Sequence, residues 1–316
     1  MICKLETISI SSIDTEDTTY RITTPLPDSD LVRSISDIGI INPPILKQKG
    51  SKYSIISGFR RVEVCSELRC NKLECRIPGS DTSEINLIKI AISENSLQRP
   101  LNLIEQSRAL NLISFYFDND NLLKEASALG LPGNLTRIKG MKILVQLPQI
   151  VQEGIISGNI SYAIAQELHK LPVKACTSIA CLFRELKVGL NKQKEILNFA
   201  VEIAAREEIE LTDVLEDRVL EKIINNDDID RNQKTGKIRH YLKKKRYPAI
   251  TAAEAEFLKN IKDLNLDNHT RLIPPKDFEG ITYSMNMSFN NIQELKERKE
   301  LLEKILQNPV IKNILN

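Results

Sequence analysis

Two short polar stretches carry residue types suited to holding phosphate and metal. The first, Gly58-Phe59-Arg60-Arg61, follows the run Tyr53-Ser54-Ile55-Ile56-Ser57 and precedes apolar residues at Val62, Cys65 and Leu68. That pattern predicts a strand turning directly into a helix, with both arginines in the helix's first turn. Free N–H groups and the positive end of the helix dipole favour an anion there, and guanidinium forks add bidentate phosphate recognition. Gly58, Arg60 and Arg61 are therefore a candidate oligophosphate cradle; the alternative is a pair of solvated charges at a helix start. The second stretch is Glu94-Asn95-Ser96-Leu97-Gln98-Arg99-Pro100. Glu94 and Asn95 offer hard oxygen ligands of the kind a phosphate-bound Mg²⁺ accepts, and Arg99 has the reach to meet a phosphate. Taken alone, Glu-Asn at a helix-to-loop junction also reads as a cap or turn.

A third set has the chemistry of nucleic-acid contact. A short amphipathic helix from Leu122 to Leu129 ends at Gly130, and after Leu131-Pro132-Gly133-Asn134 a second helix runs from about Leu135 to Gln146. This is the outline of a helix-turn-helix, although ordinary helical hairpins share it. Asn134, Thr136, Arg137, Lys139 and Lys142 would be the residues offered to phosphates or base edges. Further on, Lys237, Arg239, Lys243, Lys244, Lys245 and Arg246 form the strongest basic cluster, interleaved with His240, Tyr241 and Tyr247. It reads either as a solvated helix or as a surface for nucleic-acid backbone. The interval 202–221 holds eight acidic residues and reads as a solvated helical face, or as a screen for a basic surface in the free protein.

The elements that must position these groups follow in order. Residues 1–25 mix short β-branched runs, Ile8-Ser9-Ile10 and Tyr20-Arg21-Ile22-Thr23, suited to an edge strand or two. Asp28 or Ser29 can cap a helix with Leu31, Ile35 and Ile38 on one face, ended by Gly39. Ile40 to Leu46 is extended, Lys49-Gly50-Ser51 is a turn, and Leu73 to Ile77 is a strand ended by Pro78-Gly79. Leu87, Ile88, Ala91 and Ile92 form a helix face, and Asn102 with Glu105 makes a capping box. The pattern stays helical to about residue 225, where Asn225-Asn226-Asp227-Asp228 reads as a linker. Near the end, Ile281 to Phe289 alternates as a half-buried strand, followed by an amphipathic helix through Ile292, Leu295, Leu302, Ile305 and Leu306. That tail pairs either with a second subunit or with its own domain.

The 316 residues are 41% apolar and 27% charged, with a formal net charge of +2. This is the composition of a globular chain with room for two or three domains. No apolar run approaches the length needed to cross a bilayer and the start has no signal-peptide layout, so the expected location is cytoplasmic. The six cysteines include no Cys-x-x-Cys pair and are expected to be reduced, partly buried thiols rather than zinc ligands.

Taken in order from about Tyr20 to Leu171, these pieces resemble the ParB family of chromosome and plasmid partition proteins, including its KorB-like relatives. Ser34-Ile35 with Gly39-Ile40-Ile41-Asn42-Pro43-Pro44-Ile45 resembles the family's first box. Gly58-Phe59-Arg60-Arg61 resembles its Gly-Glu-Arg-Arg box, and Glu94-Asn95 through Arg99 to Glu105 its Glu-Asn box with the following helix. Leu147-Pro148 through Ser161 is similar to the segment after the family's helix-turn-helix. The resemblance implies an α+β protein in three parts: a ParB/sulfiredoxin-like nucleotide-binding domain over 1–98, an all-helical helix-turn-helix DNA-binding domain over 99–225, and a mainly helical basic and dimerisation region over 226–316. It further implies that Gly58, Arg60 and Arg61 hold the triphosphate of CTP, that Glu94 and Asn95 serve Mg²⁺, and that Arg99 supports the phosphates. The partners implied are double-stranded DNA, a second copy and a partition ATPase, with no membrane. CTP would close the dimer as a clamp and slow hydrolysis would reopen it; no catalytic residue is assigned.

The chain departs from that pattern in three places. Phe59 stands where the family has glutamate. The usual arginine of the third box falls on Gln98, with Arg99 one place later, which bears on hydrolysis more than on binding. The second helix of the helix-turn-helix lacks the family's Ser/Arg-rich start and is about two residues longer before Leu147-Pro148, so the DNA site does not transfer. Among other users of this N-terminal fold, sulfiredoxin chemistry is rejected because the phosphate turn holds no cysteine. A nucleotide-dependent small-molecule kinase, and a DNA binder with a degenerate nucleotide site, stand as alternatives.

Overall fold

The structure is a computed structural model that describes residues 3–24 and 29–315. Asp28, one of the two candidate helix caps, lies outside the described residues; Ser29 is the first residue of the helix that follows. The chain forms two compact units, residues 1–190 and 191–316.

The first unit begins with strands β1 (Cys3–Ser9) and β2 (Ile13–Asp14), then helix α1 (Ser29–Ile38), strands β3 (Ile45–Lys49) and β4 (Lys52–Ser57), helix α2 (Phe59–Glu67), strand β5 (Lys72–Pro78) and helix α3 (Glu84–Ser96). The sheet order is β1-β5-β3-β4-β2, with β1/β5 and β3/β4 antiparallel and β2/β4 and β3/β5 parallel. Helices cover both faces, so β4 buries side chains on each in strict alternation: Ile55 joins the core with α2, and Ile56 the core with α3. Leu46 and Ile45 divide in the same way across a register shift.

Tyr20–Thr23 is no strand, although its β-branched run suggested one. Tyr20 and Ile22 are buried, yet the segment has no sheet partner; the Arg21 N–H donates to the Thr18 carbonyl, and side chains meet the groups that follow. Arg108 donates to the carbonyls of Ile22 and Thr23, each at 3.1 Å, and Glu105 accepts from the Thr24 N–H at 3.1 Å. A buried backbone satisfied in this way needs no ladder.

Helices α4 (Leu103–Ile113), α5 (Asn119–Ala128), α6 (Leu135–Lys142), α7 (Gln149–Ile156), α8 (Tyr162–His169) and α9 (Val173–Leu186) complete the unit. The Asn102–Glu105 capping box is present in full. Ile88 and Ile92 of α3 share one core with Leu110 of α4, Leu122 of α5 and Met141 of α6, so the helical part is packed onto the α/β part. The helix from Leu135 keeps α-geometry only to Lys142 and finishes as a 3₁₀ turn over Ile143–Gln146.

The second unit contains α10 (Leu190–Glu207), α11 (Leu211–Leu215), α12 (Arg218–Ile224), α13 (Arg231–Arg246) and α14 (Pro248–Leu264), then the antiparallel pair β6 (Thr270–Ile273) and β7 (Ser284–Met287), then α15 (Ile292–Gln307) and α16 (Pro309–Leu315). The 99–225 segment therefore runs across both units, with α10–α12 in the second. Residues 225–228 form a short break before α13, whose own capping box is Asp230 with Gln233. The tail packs on its own unit: Ile305, Ile311 and Ile314 meet Leu264, Phe257 and Met285 in one small core. Ile292, Leu295, Leu302 and Leu306 remain exposed on α15.

Candidate functional site

The turn from β4 into α2 is built on Gly58, the residue that caps the helix in a left-handed conformation (φ 97°). A Cβ here would stand 2.7 Å from Pro44 Cβ and 3.0 Å from Arg61 Nη2, so both the backbone angle and the close approach require glycine. Arg60 and Arg61 follow immediately. They line a cavity of about 280 Å³ together with Gly58, Asn95, Gln98 and Arg99 on one side and residues of α1 and the Gly39–Asn42 turn on the other. Two polar stretches far apart in sequence thus meet at one cavity.

Each predicted residue has a defined place. Arg61 is held by the Asn42 carbonyl and, at 3.7 Å, by Glu94, and its side chain is only 17% exposed. Burial lowers its basicity, and Glu94 works against that. Glu94 stands behind Arg61 rather than on the cavity wall. Asn95 donates its amide to the Ala91 carbonyl at 2.7 Å, which commits the nitrogen and leaves the side-chain oxygen as the atom suited to a metal or water. Both residues lie on α3, not in a loop.

Arg99 lines the cavity, but its fork is engaged by Glu105 through two hydrogen bonds of 2.7 Å. Glu105 is fully buried. Burial pushes its carboxyl up, while Arg99 and the N–H groups of Asn102 and Thr24 pull it down further, so it is held below the ordinary glutamate value. Glu105 thus serves the capping box, the Tyr20–Thr24 segment and Arg99 at once. Phe59, the departure from the family box, is buried in the core of α2, and Arg21 stacks over its ring at 5.3 Å. Thr23, Ser34 and Asn42 also line the cavity and were absent from the predicted set. The first-box resemblance around Ser34 and Asn42 was the available signal for two of them.

In the segment expected to be a helix-turn-helix, Asn134 caps α6 by accepting from the Arg137 N–H at 3.1 Å. Asn134, Thr136 and Arg137 line an open concavity of about 640 Å³ with Tyr162 and Gln166 of α8. Lys139 and Lys142 do not line it; Lys139 is exposed and Lys142 half-buried. Gly140 leaves room for the Tyr162 hydroxyl and the Gln166 amide, which a Cβ there would overlap.

The basic run on α13 is largely neutralised by carboxylates. Arg239 pairs with Glu195 (2.6 Å), Lys243 with Glu254 (2.6 Å), Lys245 with Glu207 (3.4 Å) and Asp217 (3.3 Å), and Arg246 with Glu202 (2.6 Å). Lys237, His240 and Lys244, spaced three and four residues apart, are exposed along the outer face.

Residues 4–96 match the family described as the ParB N-terminal domain. The nucleoid occlusion protein of Listeria innocua is 29% identical over 140 residues, covering 44% of this chain and 48% of that protein. The nucleoid occlusion protein of Bacillus subtilis is 29% identical over 147 residues, covering 46% and 50%. The chain spans about half the length of the curated relatives it matches. Among solved structures, C-terminally truncated ParB from Caulobacter crescentus complexed with CTP-gamma-S is 20% identical with a TM-score of 0.28, covering 55% of this chain and 97% of that one. The same protein complexed to the centromeric parS site is 16% identical with a TM-score of 0.34, covering 60% and 96%.

Proposed function

With residues 4–96 matched as a ParB N-terminal domain, the chain is ParB-like, and we propose that it is a DNA-binding protein of the partition or nucleoid-occlusion kind whose N-terminal cavity binds CTP with Mg²⁺. The observation that carries this reading is the meeting of Gly58, Arg60 and Arg61 with Asn95 and Arg99 around one cavity. A helix start, whose N–H groups and dipole favour an anion, and two guanidinium groups suit the phosphates. The Asn95 side-chain oxygen on the cavity wall would be the group to meet a hydrated Mg²⁺, and Glu94, paired with Arg61, would act through that arginine. The metal would supply charge neutralisation, while this chain's residues bind and orient the nucleotide.

On this reading 1–98 is the nucleotide-binding part, 99–225 the DNA-binding part, and 226–316 the region through which two copies associate. The exposed Ile292, Leu295, Leu302 and Leu306 of α15 support the last assignment, because a helix face of that kind suits a second helix. Nucleotide would then switch a dimer on DNA between open and closed states, with a partition ATPase as a further partner and the nucleoid or a plasmid as the cellular location. Selection of bound sequences from a random DNA pool, with and without CTP-Mg, tests the DNA half. A single enriched site whose salt-resistant retention rises with CTP is expected; sequence-independent recovery unaffected by CTP would contradict it.

A further inference from the structure

Arg21 lies in the irregular segment ahead of α1 and does not line the cavity. Its guanidinium nevertheless spans the first turn of α2. It stacks on Phe59, the first helical residue, and pairs with Glu63, one turn later, at 2.6 Å. Arg60 and Arg61 lie between those two anchor points. We propose, resting on the nucleotide reading above, that Arg21 is a positioning residue for the phosphate cradle: it sets the direction of the start of α2, and so of the Arg60 and Arg61 side chains, without touching the ligand.

Three observations carry this. First, α2 has only nine residues and hangs from a glycine in the left-handed region, so its start needs outside contacts to hold one direction. Arg61 is anchored on one side by Asn42 and Glu94, and Arg21 supplies the other side. Second, the segment that carries Arg21 is itself clamped to α4. Arg108 takes the carbonyls of Ile22 and Thr23, and Glu105 takes the Thr24 N–H while gripping Arg99. Residues 21–24 therefore connect the Arg60–Arg61 side of the cavity to the Arg99 side. Third, the Arg21 side chain is 15% exposed, and its buried Nε and Nη2 have no hydrogen-bond partner among the described residues. Unmet buried donors are a poor way to gain stability, which points to a positional role for the contact.

The test is a mutant cycle on the full chain, with CTP-Mg affinity measured by calorimetry and folding followed by circular dichroism. Arg21→Lys, which keeps the charge but loses the planar stack, is expected to weaken CTP about tenfold. In an Arg60→Lys background, where the flexible ammonium no longer depends on a set direction, the same change should cost less than about threefold. Glu63→Gln should show the same losses in the two backgrounds, which keeps the test intact should Arg21→Lys fail to fold. Equal losses in both backgrounds would overturn the inference, because Arg21 would then act independently of Arg60. Unchanged CTP affinity in Arg21→Lys would overturn it while leaving the nucleotide reading standing. Absence of CTP binding by the unmutated protein would overturn both.

Discussion

Arg99 and Glu105 face each other through two hydrogen bonds of 2.7 Å, one partner 43% exposed at the cavity and the other fully buried. The pair is asymmetric, and so are the consequences of breaking it. Arg99→Ala strands a buried carboxylate on backbone N–H groups alone and should cost about 3 kcal/mol. Glu105→Gln leaves an arginine able to reach water and should cost less, about 1–2 kcal/mol. Urea unfolding at pH 7 checks the order of the two.

The same carboxyl predicts a pH dependence. Because Glu105 is held below its ordinary value of 4.5, it contributes stability that is fully present above that value and is lost as pH falls through the lowered one. The gap between the unmutated protein and Glu105→Gln, read by denaturation at a series of pH values, should therefore be widest near neutrality and shrink below about pH 4.5. A gap that widens on acidification would contradict this.

Gly140→Ala should be destabilising although alanine is the better helix former by about 1 kcal/mol. The added methyl meets the Tyr162 hydroxyl and the Gln166 amide, so these side-chain ends must swing aside, at the expense of the hydrogen bond between them, and the concavity next to Arg137 must change. A net loss of about 1–3 kcal/mol on unfolding is expected, together with weaker DNA binding.

For DNA, Arg137→Ala should weaken binding about tenfold and lower the magnitude of the salt slope by about one if its contact is to a phosphate. Lys237→Ala with Lys244→Ala, on the exposed face of α13, separates the two readings of the basic run. Loss of salt-dependent affinity would favour contact with the nucleic-acid backbone, and no change would assign the run to structure. Arg246→Ala should instead lower stability, because its partner Glu202 and the ring of Tyr247 are both in place.

Local pattern carried much of the fold. The strand-to-helix turn at Gly58, the buried face of α3 and the capping box at Asn102 are all set by residues within a few positions of one another, and each formed as expected. Long-range partners were invisible to such patterns. Tyr20–Thr23 has the composition of a strand, but Arg108 and Glu105, more than eighty residues away, satisfy its backbone. The α13 cations looked like one continuous patch until Glu195, Glu202 and Asp217 came alongside. Glu105 was legible as a cap, yet its hold on Arg99 depends on how the loop between α3 and α4 folds back. Gln98 and Arg99 both line the cavity, which a box read position by position does not show.

The central claim is that Arg60 and its neighbours hold a nucleoside triphosphate, and titration calorimetry with CTP-Mg and ATP-Mg on the unmutated chain and on Arg60→Ala tests it most directly. Saturable CTP binding that is weaker for ATP and lost by at least about a hundredfold in Arg60→Ala is the predicted result. No heat with either nucleotide would contradict the account, as would equal CTP binding by Arg60→Ala, or tight ATP binding accompanied by phosphate transfer to a small molecule.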